Sequence, residues 1–274
     1  MCRMTALAAT VLALSVAGVA HAGAPPVTPT AAAATPAQAQ GPTRASPEER
    51  KLAQRLDPLA RAAFWAREAD ADPRDSVAGV NLAQALRTLG RYDDAAEAAG
   101  RVLVLEPTNF EAMMELARAR ISQGKGFYGI EWAKKAAEQA PRDWRPVGLL
   151  AVAYEQVGRD DDALEAHRQA LALAPGEAGA ISNLAMYYAG HGDLTQAETL
   201  LRRAAGLPTA TAQVRQNLAL VLGLEGKMDE AEKLCRQDLP PEAVASNMAW
   251  LRAALAGPTG AGTRSWDAVK GGGN

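Results

Sequence analysis

The sequence predicts an all-α protein, a solenoid of helical hairpins closed by a C-terminal capping helix. Three observations predict it. Gly90, Gly124, Gly158, Gly192 and Gly226 are each 34 residues apart. Pro73, Pro107, Pro141 and Pro175 keep the same spacing, and Pro208 follows after 33. Apolar residues recur at helical spacing on both sides of each glycine, as in RQNLALVLGLEGKMDEAEKLCR, where Leu218, Val221 and Leu222 precede Gly226 and Met228, Ala231, Leu234 and Cys235 follow it. Each unit therefore reads helix, glycine turn, helix, proline stop. Glycine tolerates the positive φ of a tight turn, and proline, lacking an N–H, cannot continue a helix. Such a unit cannot bury its apolar face alone, so successive units stack.

The elements follow in order. Residues 1–22 hold one charge, Arg3, an apolar run from Ala6 to Ala20 and the small-x-small triplet Ala20-His21-Ala22. This is the pattern of a secretory signal peptide cut after Ala22, and the run is too short and too alanine-rich for a spanning helix. Cys2 leaves with it, so Cys235 remains without a disulfide partner in the chain. Residues 23–45 are rich in Pro, Ala and Thr, with no charge from Gly23 to Thr43, which predicts a disordered linker. Residues 46–75 read as a divergent N-terminal hairpin. Ser46-Pro47-Glu48-Glu49 combines an N-cap, a first-turn proline and a capping-box glutamate, and Asp57-Pro58 opens the second helix. Five repeats follow at 76–109, 110–143, 144–177, 178–210 and 212–240. A capping helix is expected at 241–256, with Val244, Met248, Leu251 and Leu255 on its buried face, and a flexible, glycine-rich tail at 257–274 contains an exposed Trp266.

A period of 34 with two helices per unit resembles the tetratricopeptide repeat (TPR). With Ser76, Phe110, Trp144, Ala178 and Ala212 as first positions, the seventh is Leu82, Leu116, Leu150, Leu184 and Leu218, and the eighth is Ala83, Ala117, Ala151, Ala185 and Ala219. The twentieth is Ala95, Gly129, Ala163, Ala197 and Ala231. Small residues are required there because the two helices of a hairpin cross closely. The second repeat departs most, since GKGFYGIEW places glycines at 124, 126 and 129, and a looser second helix is expected there.

Composition and motifs exclude several classes. A formal net charge of −2, with no basic stripe, argues against a nucleic-acid partner. His21, His167 and His191 form no ligand cluster in the sequence. Asp160-Asp161-Asp162 is read as a dipole-favoured first turn rather than a cation site, and Cys235 as a small buried hydrophobe rather than a redox thiol. No Ser/His/Asp set, phosphate loop or paired carboxylates suggests catalysis, so no enzyme activity, cofactor, metal or small-molecule substrate is expected. Phe127, Tyr128 and Trp132 are read as packing against the next hairpin in preference to forming an outer patch.

What remains is a surface. The TPR resemblance implies a concave groove lined by the first helix of each hairpin, taking an extended or helical peptide of a protein partner. Its sixth positions supply Asn81, Glu115, Asn183 and Asn217, and neighbouring positions supply Gln84, Arg118, Arg145 and Gln216. Asn can donate to and accept from a peptide backbone; the plainer alternative is that these residues are merely solvated.

The stretch VRQNLALVLGLEGKMDEAEKLCRQDLPPEAVASNMAWLRAAL, residues 214–255, resembles the TadD family of tight-adherence (Flp) pilus assembly proteins, with a repeat running through a Leu-Pro-Pro break into a final helix. The leader and the number of repeats extend the resemblance over about residues 50–256. It implies a non-catalytic cell-envelope scaffold that helps assemble the Flp pilus secretion machine, with an outer-membrane secretin or another pilus assembly protein as partner. Family members are usually lipoproteins, which need a cysteine directly after the apolar segment; here that region reads VAGVAHAGA, so an unlipidated periplasmic form is expected. The alternative is a general periplasmic TPR adaptor for another envelope pathway such as polysaccharide export.

Overall fold

A computed structural model describes residues 44–256 of the 274-residue chain. The expected signal peptide, most of the expected linker and the expected tail with Trp266 lie outside the described residues. Among the described residues the structure is all-helical, with thirteen helices and no strand. None of these helices is long and apolar enough to cross a membrane.

The N-terminal hairpin is α1 (Pro47–Ala53) and α2 (Pro58–Ala71). Ser46 and Glu49 close a reciprocal capping box at the start of α1, and Asp57 caps α2 through the Leu59 and Ala60 amides. The next hairpins pair α3 (Ser76–Thr88) with α4 (Tyr92–Leu105), α5 (Phe110–Ser122) with α6 (Gly126–Gln139), and α7 (Trp144–Gln156) with α8 (Asp160–Leu173). Then come α9 (Ala178–Gly190) with α10 (Leu194–Ala205), α11 (Ala212–Leu224) with α12 (Met228–Asp238), and finally α13 (Pro241–Ala256).

One turn chemistry repeats five times. Each first helix ends in a glycine of positive φ, from 72° at Gly124 to 85° at Gly192. The residue after it bonds back to the last turn of that helix, as Arg91 N–H does to Leu86 C=O at 2.9 Å and Lys227 N–H to Leu222 C=O at 2.9 Å. This is the Schellman closure, which needs a left-handed residue. Where one hairpin passes to the next, a proline blocks continuation and a polar residue two positions on caps the following helix. Asp75, Asn109, Asp143 and Glu177 accept the amides of Ala78, Ala112, Arg145 and Gly179.

Alanine makes the close crossings. Ala83, Ala117, Ala151, Ala185 and Ala219 are at most 1 % exposed, as are Ala95, Ala163, Ala197 and Ala231. Larger buried side chains (Trp65, Met114, Ile181, Leu201 and Leu222) fill the spaces between hairpins. Within the core, His167 is 1 % exposed and its Nε2 lies 2.6 Å from Glu155 Oε1, tying α8 to α7.

Four details differ from the sequence reading. The second helix of the second repeat is not loose: α6 has 14 residues, as do α4 and α8. Its glycines are there because neighbours approach closely. A Cβ on Gly126 would lie 2.8 Å from the Ala153 carbonyl oxygen, and one on Gly129 would lie 3.0 Å from Ile121 Cγ1. Phe127 and Tyr128 do not pack on the next hairpin; they are 71 % and 63 % exposed and meet edge to face, while Trp132 is half-buried beneath Lys135. Leu255 is exposed, so α13 is buried through Val244, Met248 and Leu251 alone of the four residues expected. Arg44 and Ala45, the last two residues of the expected linker, are already bonded to Asp75 and Glu68.

Candidate partner-binding groove

The first helices α3, α5, α7, α9 and α11 each touch the next first helix, whereas the second helices do not pack on one another to that degree. The first-helix face is therefore the inside of the curve, and its side chains line a groove. The sequence-predicted residues all lie on these helices, but they are not equivalent.

Glu115 is buried, 3 % exposed, between Arg87 Nε at 2.8 Å and Arg118 Nη1 at 2.5 Å. The carboxylate is thus a structural tie between α3 and α5, held by charge-assisted bonds, and its two arginine partners are partly exposed, at 27 % and 24 %. Arg145 is likewise committed. It chelates Asp143 with contacts of 2.8 and 2.6 Å, lies 3.7 Å from Glu111, and stands over the Phe110 ring at 5.4 Å. Burial pushes the Asp143 carboxyl up, but the bonds from Arg145 and the nearby Arg118 charge outweigh it and hold it below the ordinary carboxylate range.

The asparagines divide. Asn81 accepts from Gln54 Nε2 at 2.7 Å and donates to the Val77 carbonyl at 2.7 Å, so it anchors the end of α1. Asn217 donates to Ser182 Oγ at 3.0 Å and accepts from Gln213 at 2.9 Å, tying α11 to α9. Both candidate groove residues thus also tie neighbouring hairpins together. Asn183, Gln84 and Gln216 make no side-chain hydrogen bond among the described residues. Asn217→Ala is accordingly expected to lower stability by about 1 kcal/mol, because the Ser182 hydroxyl, 3 % exposed, loses its partner, whereas Asn183→Ala costs less. Denaturant midpoints of the two variants check this; equal losses would contradict the asymmetry.

Trp144 packs its indole over two glycines of neighbouring first helices: a Cβ on Gly148 would lie 3.4 Å from its ring, and one on Gly179 3.0 Å from its Cη2. Among the described residues no group of three or more His, Cys, Asp or Glu side chains is placed to hold a metal ion. Cys235 is 3 % exposed, and burial pushes its thiol up against the opposing pull of Asn247, which disfavours the reactive thiolate.

A stack of helical hairpins with a lined inner face defines a repeat scaffold suited to protein–protein interaction. Profiles of the tetratricopeptide repeat match residues 77–119, 147–179 and 178–206. Proteins of this kind are generally non-catalytic scaffolds. Among solved structures, the chain is similar to a thermophilic TPR protein of Thermus thermophilus, TTC0263, with a TM-score of 0.59 and 25 % identity over 65 % of this chain and 99 % of that one. A tetratricopeptide repeat protein from Parabacteroides merdae shares the fold, with a TM-score of 0.64 and 13 % identity over 76 % of this chain and 86 % of that one. No curated protein matches the chain significantly.

Proposed function

We propose that the protein is a non-catalytic TPR scaffold of the cell envelope that assists assembly of a Flp (tight-adherence) pilus secretion system by holding a segment of a secretin or another assembly protein in its groove. The observation that carries the scaffold part is the groove itself, a continuous inner face built by five successive first helices. A solenoid of this kind presents a long surface while each hairpin depends only on its neighbours, which suits it to an elongated partner segment. The pilus part rests on the resemblance of residues 214–255 to the TadD family, and the envelope part on the signal-peptide pattern of residues 1–22.

The test is deletion of the gene, followed by measurement of surface pili, of assembled secretin multimers, and of the periplasmic recovery of a tagged protein used for complementation. The expected result is loss of pili with fewer or mislocated multimers, restored by the tagged protein, and co-purification of a pilus component. Normal pili and multimers, with no such component co-purifying, would turn the assignment to a general periplasmic adaptor. Recovery of the tagged protein only in the cytoplasm would remove the envelope placement as well.

A further inference from the structure

We infer that the tip of the N-terminal hairpin is a membrane contact, at which Leu52, Leu56 and Leu59 enter the surface of an anionic lipid layer and Lys51 and Arg55 meet its headgroups. This goes beyond the groove function and does not depend on it. The starting point is a group of exposed apolar side chains where the chain turns. Leu52 lies in the last turn of α1, Leu56 in the connection and Leu59 in the first turn of α2, and they are 60 %, 41 % and 68 % exposed. The second helices begin 34 residues apart from α2 to α12, so the place of Leu59 is taken later by Asp93, Phe127, Asp161, Thr195 and Asp229. Acidic or hydroxyl side chains thus fill that place in every hairpin except the first and the third.

The charge around the leucines complements lipid phosphate. From Lys51 to Arg67 the chain has four basic residues, Lys51, Arg55, Arg61 and Arg67, and one acidic residue, Asp57. Asp57 is taken up by α2, whose Leu59 and Ala60 amides each donate to its Oδ1 at 3.0 Å. Glu48 and Glu49 are at the far end of α1, and Glu68 and Asp70 at the far end of α2. Lys51 and Arg55 are exposed and make no ion pair or side-chain hydrogen bond among the described residues. A basic residue near an anionic surface strengthens binding by about fivefold, and leucine is among the side chains that enter hydrocarbon most readily. Stable peripheral binding combines the two, apolar insertion and a basic patch.

The position of the leucines points the same way. They stand at the end of a hairpin instead of lining the groove, and leucine is under-represented among the residues that anchor protein–protein interfaces, where Trp, Tyr and Arg lead. The tip is firmly mounted, since Arg50, next to Lys51, is paired with both Glu68 of α2 and Asp75 at the start of α3. None of the helices among the described residues is long and apolar enough to cross a membrane, so the contact is one of the surface.

The experiment is co-flotation with lipid vesicles of the chain from Gly23 onward, which keeps every described residue and omits the apolar run of residues 6–20 that would bind lipid by itself. The vesicles are phosphatidylcholine alone or with a minority of phosphatidylglycerol. Two double variants alter the tip, Leu56→Ser with Leu59→Ser and Lys51→Glu with Arg55→Glu. Val104→Ser with Leu105→Ser is the control, because those side chains are comparably exposed, 79 % and 55 %, but lie at the C-terminal end of α4. Thermal melts check folding. The expected result is binding to the anionic vesicles that salt weakens, that each tip variant weakens about tenfold or more, and that the control leaves unchanged. No flotation with the anionic vesicles would overturn the inference, as would flotation that both tip variants leave intact or that the control weakens equally. Equal binding to both kinds of vesicle, indifferent to Lys51→Glu with Arg55→Glu, would overturn the headgroup recognition. A chain that sediments as a dimer, and as a monomer once Leu56 and Leu59 are changed, would make the leucines a contact between two copies and overturn the membrane assignment.

Discussion

Replacing Arg50 with alanine is expected to release the N-terminal hairpin, at a local cost of about 3–5 kcal/mol, because it leaves two buried carboxylates without their shared cation. Arg50 stands between Glu68 and Asp75, at 2.5 and 2.6 Å, and the side chains of the three are 13 %, 7 % and 2 % exposed. Asp75 also caps α3 through the Ala78 amide and takes Arg44 at 2.6 Å, while Glu68 accepts the Ala45 amide at 3.0 Å. The network therefore joins the entering chain, α1, α2 and the start of α3. Because a solenoid is a chain of nearest-neighbour interfaces, the damage should stay at that end. Hydrogen exchange should show α1 losing protection while α7 to α12 keep theirs; uniform loss, or none, would contradict this assignment.

The same network carries a pH signature. Burial pushes the Asp75 carboxyl up, but the bonds from Arg50 and the Ala78 amide, with the Arg50 and Arg44 charges, outweigh it and hold the group below its ordinary value. A carboxyl depressed on folding contributes stability that is fully present above the unfolded Asp value of about 3.9 and is lost as pH falls through the lower folded value. α1 is thus expected to loosen in acid below about pH 4, and Arg50→Ala to weaken that step. An acid step of unchanged size in the variant would place its origin elsewhere.

The fold was legible where the backbone itself makes the demand. A left-handed turn residue and a proline stop recur at a fixed period, and neither can be replaced without changing the path of the chain, so Gly90 to Gly226 and Pro73 to Pro208 could be read directly. The alanines of the close crossings were legible for a similar reason, since few residues fit. The groove was harder. Repeat position identifies the helix face on which Asn81, Asn183 and Asn217 lie, but whether each is free depends on the residue one repeat earlier. Asn217 meets Ser182, Asn81 meets Gln54 from the divergent hairpin, and Asn183 meets Gly148. That is pairwise information absent from the position alone. The glycines of α6 misled for the opposite reason: helix propensity counts Gly126 and Gly129 as weak points, whereas close packing against Ala153, Gln156 and Ile121 makes them necessary.

The same conflict between propensity and packing sets the second large effect, at the C-terminal end. In an open helical site, Gly→Ala is expected to stabilise by about 0.5–1 kcal/mol, and Gly100 in α4 is such a site, since a Cβ there would meet nothing within 4 Å. Gly223 in α11 has the same intrinsic preference and the opposite surroundings. A Cβ on it would lie 2.4 Å from Leu251 Cδ1 and 2.7 Å from Cδ2, and Leu251, 3 % exposed, is one of three side chains that hold α13 down. Gly223→Ala must turn Leu251 off its rotamer or lift α13, and overpacking of that kind costs about 1–3 kcal/mol, more than the propensity gain. The denaturant midpoint should therefore rise for Gly100→Ala and fall for Gly223→Ala. In the double variant with Leu251→Ala, the cost of the Gly223 change should disappear, because the two residues are in contact and their effects cannot add. A midpoint for Gly223→Ala that is unchanged or raised would mean that Leu251 swings aside freely, and that the close approach of α11 and α13 is not what closes this end of the solenoid.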